Sequence, residues 1–108
     1  MEPKELLHRL GISANRIKLF KREGIFIPEN PPEKNRKTDY TETDVQRLTE
    51  IVRWTSSGLT CADIRKIQKQ ESSFEEVILN RKYHLEDEIE KKKRILKRLE
   101  RFLLEIRG

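Results

Sequence analysis

The chain has 108 residues, which is enough for one domain or for one small domain with an extended element. Charged residues make up 40% of it and apolar residues only 34%, so either part of the chain is disordered or a second copy completes its core. The net charge of +5 favours nucleic acid over a membrane surface as partner. Because neither a bilayer-spanning run nor a signal peptide is recognisable, a cytoplasmic, nucleoid-associated protein is expected.

A helix-turn-helix pattern occupies the first 24 residues. Residues 3–10 are predicted to form a short helix, and the Gly-Ile-Ser sequence at 11–13 forms a three-residue corner. Ser13 can cap a second helix that begins at Ala14, and Gly24 can adopt the positive φ that follows a helix end. A helix, a short turn and a basic helix are typical of a DNA-binding helix-turn-helix.

The second helix has two unlike faces. Ile17, Phe20 and the stem of Lys21 share one face, which can dock on a small core. The opposite face carries an amide, two cations and one apolar tip: Asn15, Lys18, Leu19 and Arg22. The cations of this helix, with no acid among them, predict a steep salt dependence of binding: Arg16, Lys18, Lys21 and Arg22.

Residues 25–40 are predicted to form a β-hairpin wing. The apolar run 25–28 is one arm, the polar, proline-containing stretch 29–37 is the loop, and residues 38–40 form the returning strand. Two helices are predicted to follow, each opened by a capping box, one with Thr41 and Asp44 and one with Thr60 and Asp63.

The longest periodic segment, residues 74–107, contains neither glycine nor proline. Its apolar residues recur in alternating steps of four and three, which is the seam of a coiled coil. A helix about 50 Å long with one apolar seam is marginal alone and needs a partner helix. The predicted dimerisation residues, with one lysine among them, are Ile78, Leu85, Ile89, Lys92, Leu96, Leu99, Leu103 and Ile106.

The charge along this segment favours antiparallel pairing. Residues 74–90 hold six acids and two bases, a net charge of −4, whereas residues 91–107 hold eight bases and two acids, a net charge of +6. Parallel pairing would place like charges side by side, and antiparallel pairing places the acidic half of one copy along the basic half of the other. The basic half as a second nucleic-acid patch is the competing interpretation.

Residues with catalytic or metal-binding spacing are not recognisable. No nucleophile–base pair, glycine-rich phosphate loop or carboxylate pair has the required spacing, so neither an enzyme nor a cofactor is expected. The single cysteine, Cys61, rules out an intrachain disulfide and a multi-cysteine zinc site, and a buried filler is favoured over a redox sensor. His8 and His84 lack ligand-spaced partners, so no metal site is predicted.

Residues 3–70 resemble the MerR (mercury-resistance regulator) family of bacterial transcription regulators. The resemblance rests on Leu10-Gly11-Ile12-Ser13, Ile17 to Ile25 with Pro28, Tyr40 to Val45, Leu48, Ile51, Gly58-Leu59-Thr60 and Ile64. After the isoleucine that corresponds to Ile17, family members usually carry arginine, two aromatic residues and glutamate. This chain has Lys18, Leu19, Phe20 and Lys21 at those positions. Because the sequence ends after the coiled coil, a short member or shortened form without a C-terminal effector domain is expected.

The resemblance implies a homodimer on a roughly palindromic double-stranded operator, with RNA polymerase as a further partner at promoters that the dimer bends and untwists. It implies that each second helix enters a major groove and that each wing rests on phosphates. The groove candidates are Asn15, Arg16, Lys18 and Leu19. The phosphate candidates are Ser13, Arg22, Arg36, Lys37 and Tyr40.

The predicted fold is mostly α, with a winged helix-turn-helix DNA-binding domain and second helix pair at 1–71 and a long antiparallel coiled-coil dimerisation helix at 72–108. A sequence-specific transcription regulator is the leading hypothesis. A nucleoid, architectural or partition protein with the same winged domain, and a coiled-coil interaction module whose basic helix is incidental, are the alternatives.

Overall fold

A computed structural model describes residues 1–33 and 36–108. The described residues form five helices and no β-strand: α1 (Pro3–Leu10), α2 (Ala14–Arg22), α3 (Glu42–Ser56), α4 (Cys61–Gln68) and α5 (Phe74–Arg107). The chain divides into two compact units, Met1–Ser73 and Phe74–Gly108. Among the described residues, no helix is long and apolar enough to cross a membrane.

The ends of α2 confirm the predicted cap. The Ser13 side-chain oxygen accepts the Arg16 N–H at 3.3 Å, which satisfies one of the backbone donors left free at a helix start. Gly24, just past the helix end, has a φ of 72°, a value that costs glycine little because it has no Cβ.

The starts of α3 and α4 confirm both predicted capping boxes. The Thr41 side chain accepts the Asp44 N–H, and the Asp44 side chain accepts the Thr41 N–H. Thr60 and Asp63 exchange the same two hydrogen bonds at the start of α4. Two donors are therefore satisfied at each helix start by residues only three positions apart.

The end of α4 is unusual because a residue other than glycine adopts a left-handed conformation there. Gln70 has a φ of 56°. The Glu71 N–H donates to the Lys66 carbonyl at 3.0 Å, closing the wide turn typical of a Schellman helix end. A side chain at such a position costs free energy relative to glycine.

The core of the first unit is built from apolar side chains of all four of its helices. Leu6, Leu48 and Ile64 have no exposed surface, and Phe20 is 1% exposed. Their burial fixes α1, α2, α3 and α4 around one small core. Further buried apolar residues of this unit are Ile17, Ile25, Phe26, Tyr40, Val45, Ile51 and Leu59.

The prediction of a β-hairpin in the wing segment (residues 25–40) is wrong, since the described part of this segment contains no strand. The main chain of Tyr40 pairs with the N-terminus instead. Its N–H donates to the Met1 carbonyl at 2.9 Å, and its carbonyl accepts the Met1 ammonium at 2.9 Å. The rings of Phe26 and Tyr40 stack with centroids 6.4 Å apart, so side chains rather than a ladder join the two arms. Positions 34 and 35 of the predicted loop lie outside the described residues.

The second unit is the single helix α5, 34 residues long, which covers the periodic segment 74–107. Ion pairs within the helix support it, among them Lys82 with Glu86 at 3.2 Å and Lys91 with Asp87 at 2.9 Å. The Lys91 ammonium holds the pKa of the Asp87 carboxyl below its usual value. Most of the large apolar side chains that repeat along this helix are exposed.

Candidate nucleic-acid interface

The two predicted faces of α2 are present in the structure. Ile17 and Phe20 are buried in the core. On the opposite side, Asn15, Lys18 and Arg22 are exposed, and the predicted groove residue Leu19 is half-buried. An amide and two cations on one exposed helix face can donate hydrogen bonds to base edges or phosphates.

The side chain of Arg16, another groove candidate, lies against the protein. Its guanidinium donates to the Thr55 hydroxyl at 2.8 Å and lies over the Phe20 ring, 5.5 Å from the centroid. Arg16 therefore ties α2 to the C-terminal end of α3. The bond to Thr55 uses one of the five N–H donors of this guanidinium.

The C-terminal end of α2 is held by α4. The Arg65 guanidinium donates to both the carbonyl and the carboxylate of Glu23, each at 2.8 Å. The Gln68 amide donates to the Ile25 carbonyl at 2.7 Å. Sequence reasoning missed these contacts because each partner lies more than 40 positions away. With Arg16 near one end and Arg65 at the other, α2 is fixed along its length.

An ion pair links α1 to the start of α3. The Arg9 guanidinium donates to both carboxylate oxygens of Glu42, at 2.6 and 3.2 Å. This pair holds the pKa of the Glu42 carboxyl below its usual value and raises the pKa of the guanidinium. The forked pair joins α1 of the helix-turn-helix to the start of α3.

The phosphate candidates of the wing segment differ in environment. Arg36 and Lys37 are exposed, and the Arg36 guanidinium lies 3.7 Å from the Glu33 carboxylate. Tyr40 is only 5% exposed, and its hydroxyl accepts a hydrogen bond from the Lys21 ammonium at 2.7 Å. The structure thus separates two surface cations from a tyrosine that is held in place.

The last phosphate candidate, Ser13, is exposed at the corner between α1 and α2. Its hydroxyl oxygen accepts the Arg16 N–H as the helix cap. A hydroxyl also carries one proton of its own, and this donor is not used by the cap. Ser13 can therefore cap α2 and donate to a phosphate oxygen at the same time.

The described residues contain no group of three or more histidine, cysteine or acidic side chains that could hold a metal ion. Cys61, at the start of α4, is half-buried with a free thiol.

Two comparisons with known proteins find similarities to this chain. The family model described as the MerR HTH family regulatory protein matches residues 1–71, well over half of the chain. Among solved structures, the chain is similar to the crystal structure of the transcription regulator PbrR691 from Ralstonia metallidurans CH34 in complex with lead(II). The TM-score is 0.70 at 25% sequence identity, and the match covers 95% of this chain and 81% of that chain. A search of the curated proteins finds no match. The chain therefore belongs to the MerR family of helix-turn-helix regulatory proteins, and its function is DNA-binding transcription regulation.

Proposed function

We propose that the chain acts as an antiparallel homodimer that binds a roughly palindromic double-stranded operator and distorts promoter DNA. The observation that carries the dimer is the exposed seam of α5. Leu96, Leu99 and Leu103 are between 49% and 56% exposed, although they repeat at coiled-coil spacing. Covering such a seam removes apolar surface from water, and the matching surface on a second copy is available to cover it.

The charge distribution supports antiparallel pairing. The first half of α5 carries a net charge of −4 and the second half a net charge of +6. Exposed pairs contribute only about 0.2–1 kcal/mol each, but every pair between the halves changes sign when one helix is reversed. Many small, favourable charge interactions between the two helices therefore favour antiparallel pairing.

The exposed face of α2 supports binding in a major groove. Asn15 offers the amide that suits an adenine edge, and Lys18 offers an ammonium that suits guanine. Arg22 lies in the last turn and suits a phosphate, as do Ser13 and the wing cations. On this proposal residues 1–71 bind DNA, residues 72–108 dimerise, and Arg16 positions α2 through Thr55.

The DNA-binding part is tested by selecting duplexes from random oligonucleotides with the full chain. We expect an enriched site with two-fold symmetry, since a two-fold dimer presents two equal recognition helices. Lys18→Ala with Arg22→Ala should weaken binding to that site while leaving the dimer intact. Lys66→Ala with Lys69→Ala, which removes equal charge from exposed positions of and just after α4, is the matched control. Equal losses in both variants, or no enriched sequence, would contradict sequence-specific binding through α2.

Helix direction is tested by spin-label distance measurement. One label per chain is attached at Asn80→Cys or at Arg94→Cys, with Cys61→Ser in both proteins. In an antiparallel pair centred near residue 92, the two labels at position 80 lie about 24 residues, or about 36 Å, apart along the helix axis. The labels at position 94 lie close together in either direction and serve as control. Short distances at both positions would show parallel helices.

Distortion of the operator is tested by placing fluorophores at the two ends of the selected duplex. Bending brings the ends closer and raises the energy transfer when the dimer binds. An unchanged end-to-end distance at saturation would leave a regulator that reads its site without bending it, and would remove this part of the proposal.

A further inference from the structure

A groove runs between α1 and α2 on the side of the helix-turn-helix that carries Lys18. Pro3 and Leu7 of α1 line one wall, Ala14, Lys18 and Lys21 of α2 line the other, and Tyr40 also borders it. The groove encloses about 150 Å³, several times the share of one water molecule in the liquid. Its α2 wall follows one helix face, because its residues are spaced by three and four positions.

Lys21 and Tyr40 form a donor pair in this groove. The Lys21 ammonium lies 2.7 Å from the Tyr40 hydroxyl oxygen and 5.1 Å from the centroid of its ring. An ammonium has three donors and no acceptor, so two donors remain after this bond. The tyrosine hydroxyl uses a lone pair to accept, and its own proton remains to be donated. No salt bridge joins Lys21 to a carboxylate of residues 1–33 and 36–108.

The pair is held in place before any ligand arrives. The main chain of Tyr40 is bonded to Met1 in both directions, and its ring stacks on Phe26. Lys21 is half-buried in the last turn of α2, where a cation is favoured by the helix dipole. Groups that are already ordered lose little conformational entropy on binding.

We propose that Lys21 and the Tyr40 hydroxyl together bind one phosphodiester group of the DNA backbone in each half-site. Each side chain has a donor left for a ligand, the Lys21 ammonium two N–H groups and the Tyr40 hydroxyl its proton, which fits the acceptor oxygens and negative charge of a phosphate. The N-terminal residues of a recognition helix contact base edges, so a cation in the last turn is placed for the backbone. The inference rests on the proposed function, since it needs the exposed face of α2 to approach DNA.

The first test is the salt dependence of binding by the full chain to its selected duplex. Lys21→Gln keeps the length of the side chain and a donor toward Tyr40 but removes the charge. It should lower the slope of log K against log salt by about 0.9 per protomer, or about 1.8 per dimer. Lys21→Arg should restore the slope, and Lys66→Gln, at an exposed position of α4, should leave it unchanged.

The second test is ethylation interference, which reports the phosphates that a protein contacts. The wild-type dimer should show one sensitive phosphate per half-site that is lost with Lys21→Gln and weakened with Tyr40→Phe, while the other sensitive phosphates persist. Tyr40→Phe keeps the aromatic ring and removes only the hydroxyl. It therefore tests the proposed phosphate contact even if Lys21→Gln unfolds. Each variant is first compared with the wild type by thermal unfolding.

The outcomes separate the two proposals. A wild-type protein that does not bind duplex DNA overturns the proposed function and this inference with it. The wild-type protein can instead bind duplex DNA while Lys21→Gln and Tyr40→Phe leave the salt slope and the interference pattern unchanged. That result overturns only the proposed phosphate contact of Lys21 and Tyr40. If the slope of log K against log salt falls equally in Lys21→Gln and Lys66→Gln, the effect belongs to overall charge, and the proposed phosphate contact is overturned as well.

Discussion

Asp44 joins the wing segment to α3, and its removal should be costly. The residue has no exposed surface. One carboxylate oxygen accepts the Thr41 N–H at 3.0 Å and the other accepts the Glu29 N–H at 3.1 Å. Asp44→Ala removes both acceptors, so two main-chain donors lose their partner at once. Hydrogen bonds to a charged group are worth about 1.5–3 kcal/mol each, which predicts a loss of about 3–6 kcal/mol in the free energy of unfolding.

The capping box of α4 provides the matched control. Asp63 accepts the Thr60 N–H at 3.0 Å in an exposed setting, so Asp63→Ala should cost only about 1 kcal/mol. Asp44→Asn keeps one acceptor oxygen and should fall between the wild type and Asp44→Ala. Urea unfolding followed by far-ultraviolet circular dichroism measures all three, at one protein concentration because dimerisation adds to apparent stability. If Asp44→Ala costs no more than Asp63→Ala, the proposed role of the buried carboxylate is refuted.

Three further predictions concern pH, the end of α4 and the seam of α5. Because Arg9 lowers the pKa of Glu42, the stabilisation from this pair should be complete above the ordinary value of 4.5 and should disappear as the pH falls through the lower folded value. The difference in Tm between wild type and Glu42→Gln should therefore shrink on acidification below that value, and a constant difference would contradict the assignment. Gln70→Gly should raise the free energy of unfolding by about 1 kcal/mol, since glycine adopts the observed positive φ without a Cβ clash. A free energy of unfolding below that of the wild type, measured by denaturant unfolding, would contradict backbone strain at Gln70. Leu99→Lys should convert the proposed dimer to monomer in sedimentation equilibrium, and an intact dimer would remove this residue from the seam.

The helix starts could be predicted from the sequence because their causes are local. Ser13, Thr41 and Thr60 each accept a backbone N–H only three positions away, so the signal lies within one turn of chain. The positive φ of Gly24 follows the same logic, since it satisfies a helix end made by its own neighbours.

The wing segment could not be predicted in the same way. Its residues have the composition of two β-arms, yet the Tyr40 main chain bonds to Met1 and the Glu29 N–H bonds to Asp44. Three main-chain groups of the segment, the N–H and carbonyl of Tyr40 and the N–H of Glu29, are therefore used by partners outside it. Local β-propensity is a weak preference that tertiary hydrogen bonds can override.

By itself, the sequence determined the two faces of α2 and the uninterrupted periodicity of α5, because helical geometry alone converts spacing into faces. Only the tertiary structure decided what the cations of α2 do. Arg16 donates a hydrogen bond to Thr55, which lies 39 positions further along the chain, and Lys21 donates to Tyr40, which lies 19 positions further. Lys18 and Arg22 are exposed. Helical spacing places the stem of Lys21 on the core face and Lys18 and Arg22 on the opposite face, but it does not identify the partner of any of the four cations. Their different roles arise from which side chains of α3 and the wing segment the fold brings within hydrogen-bonding distance.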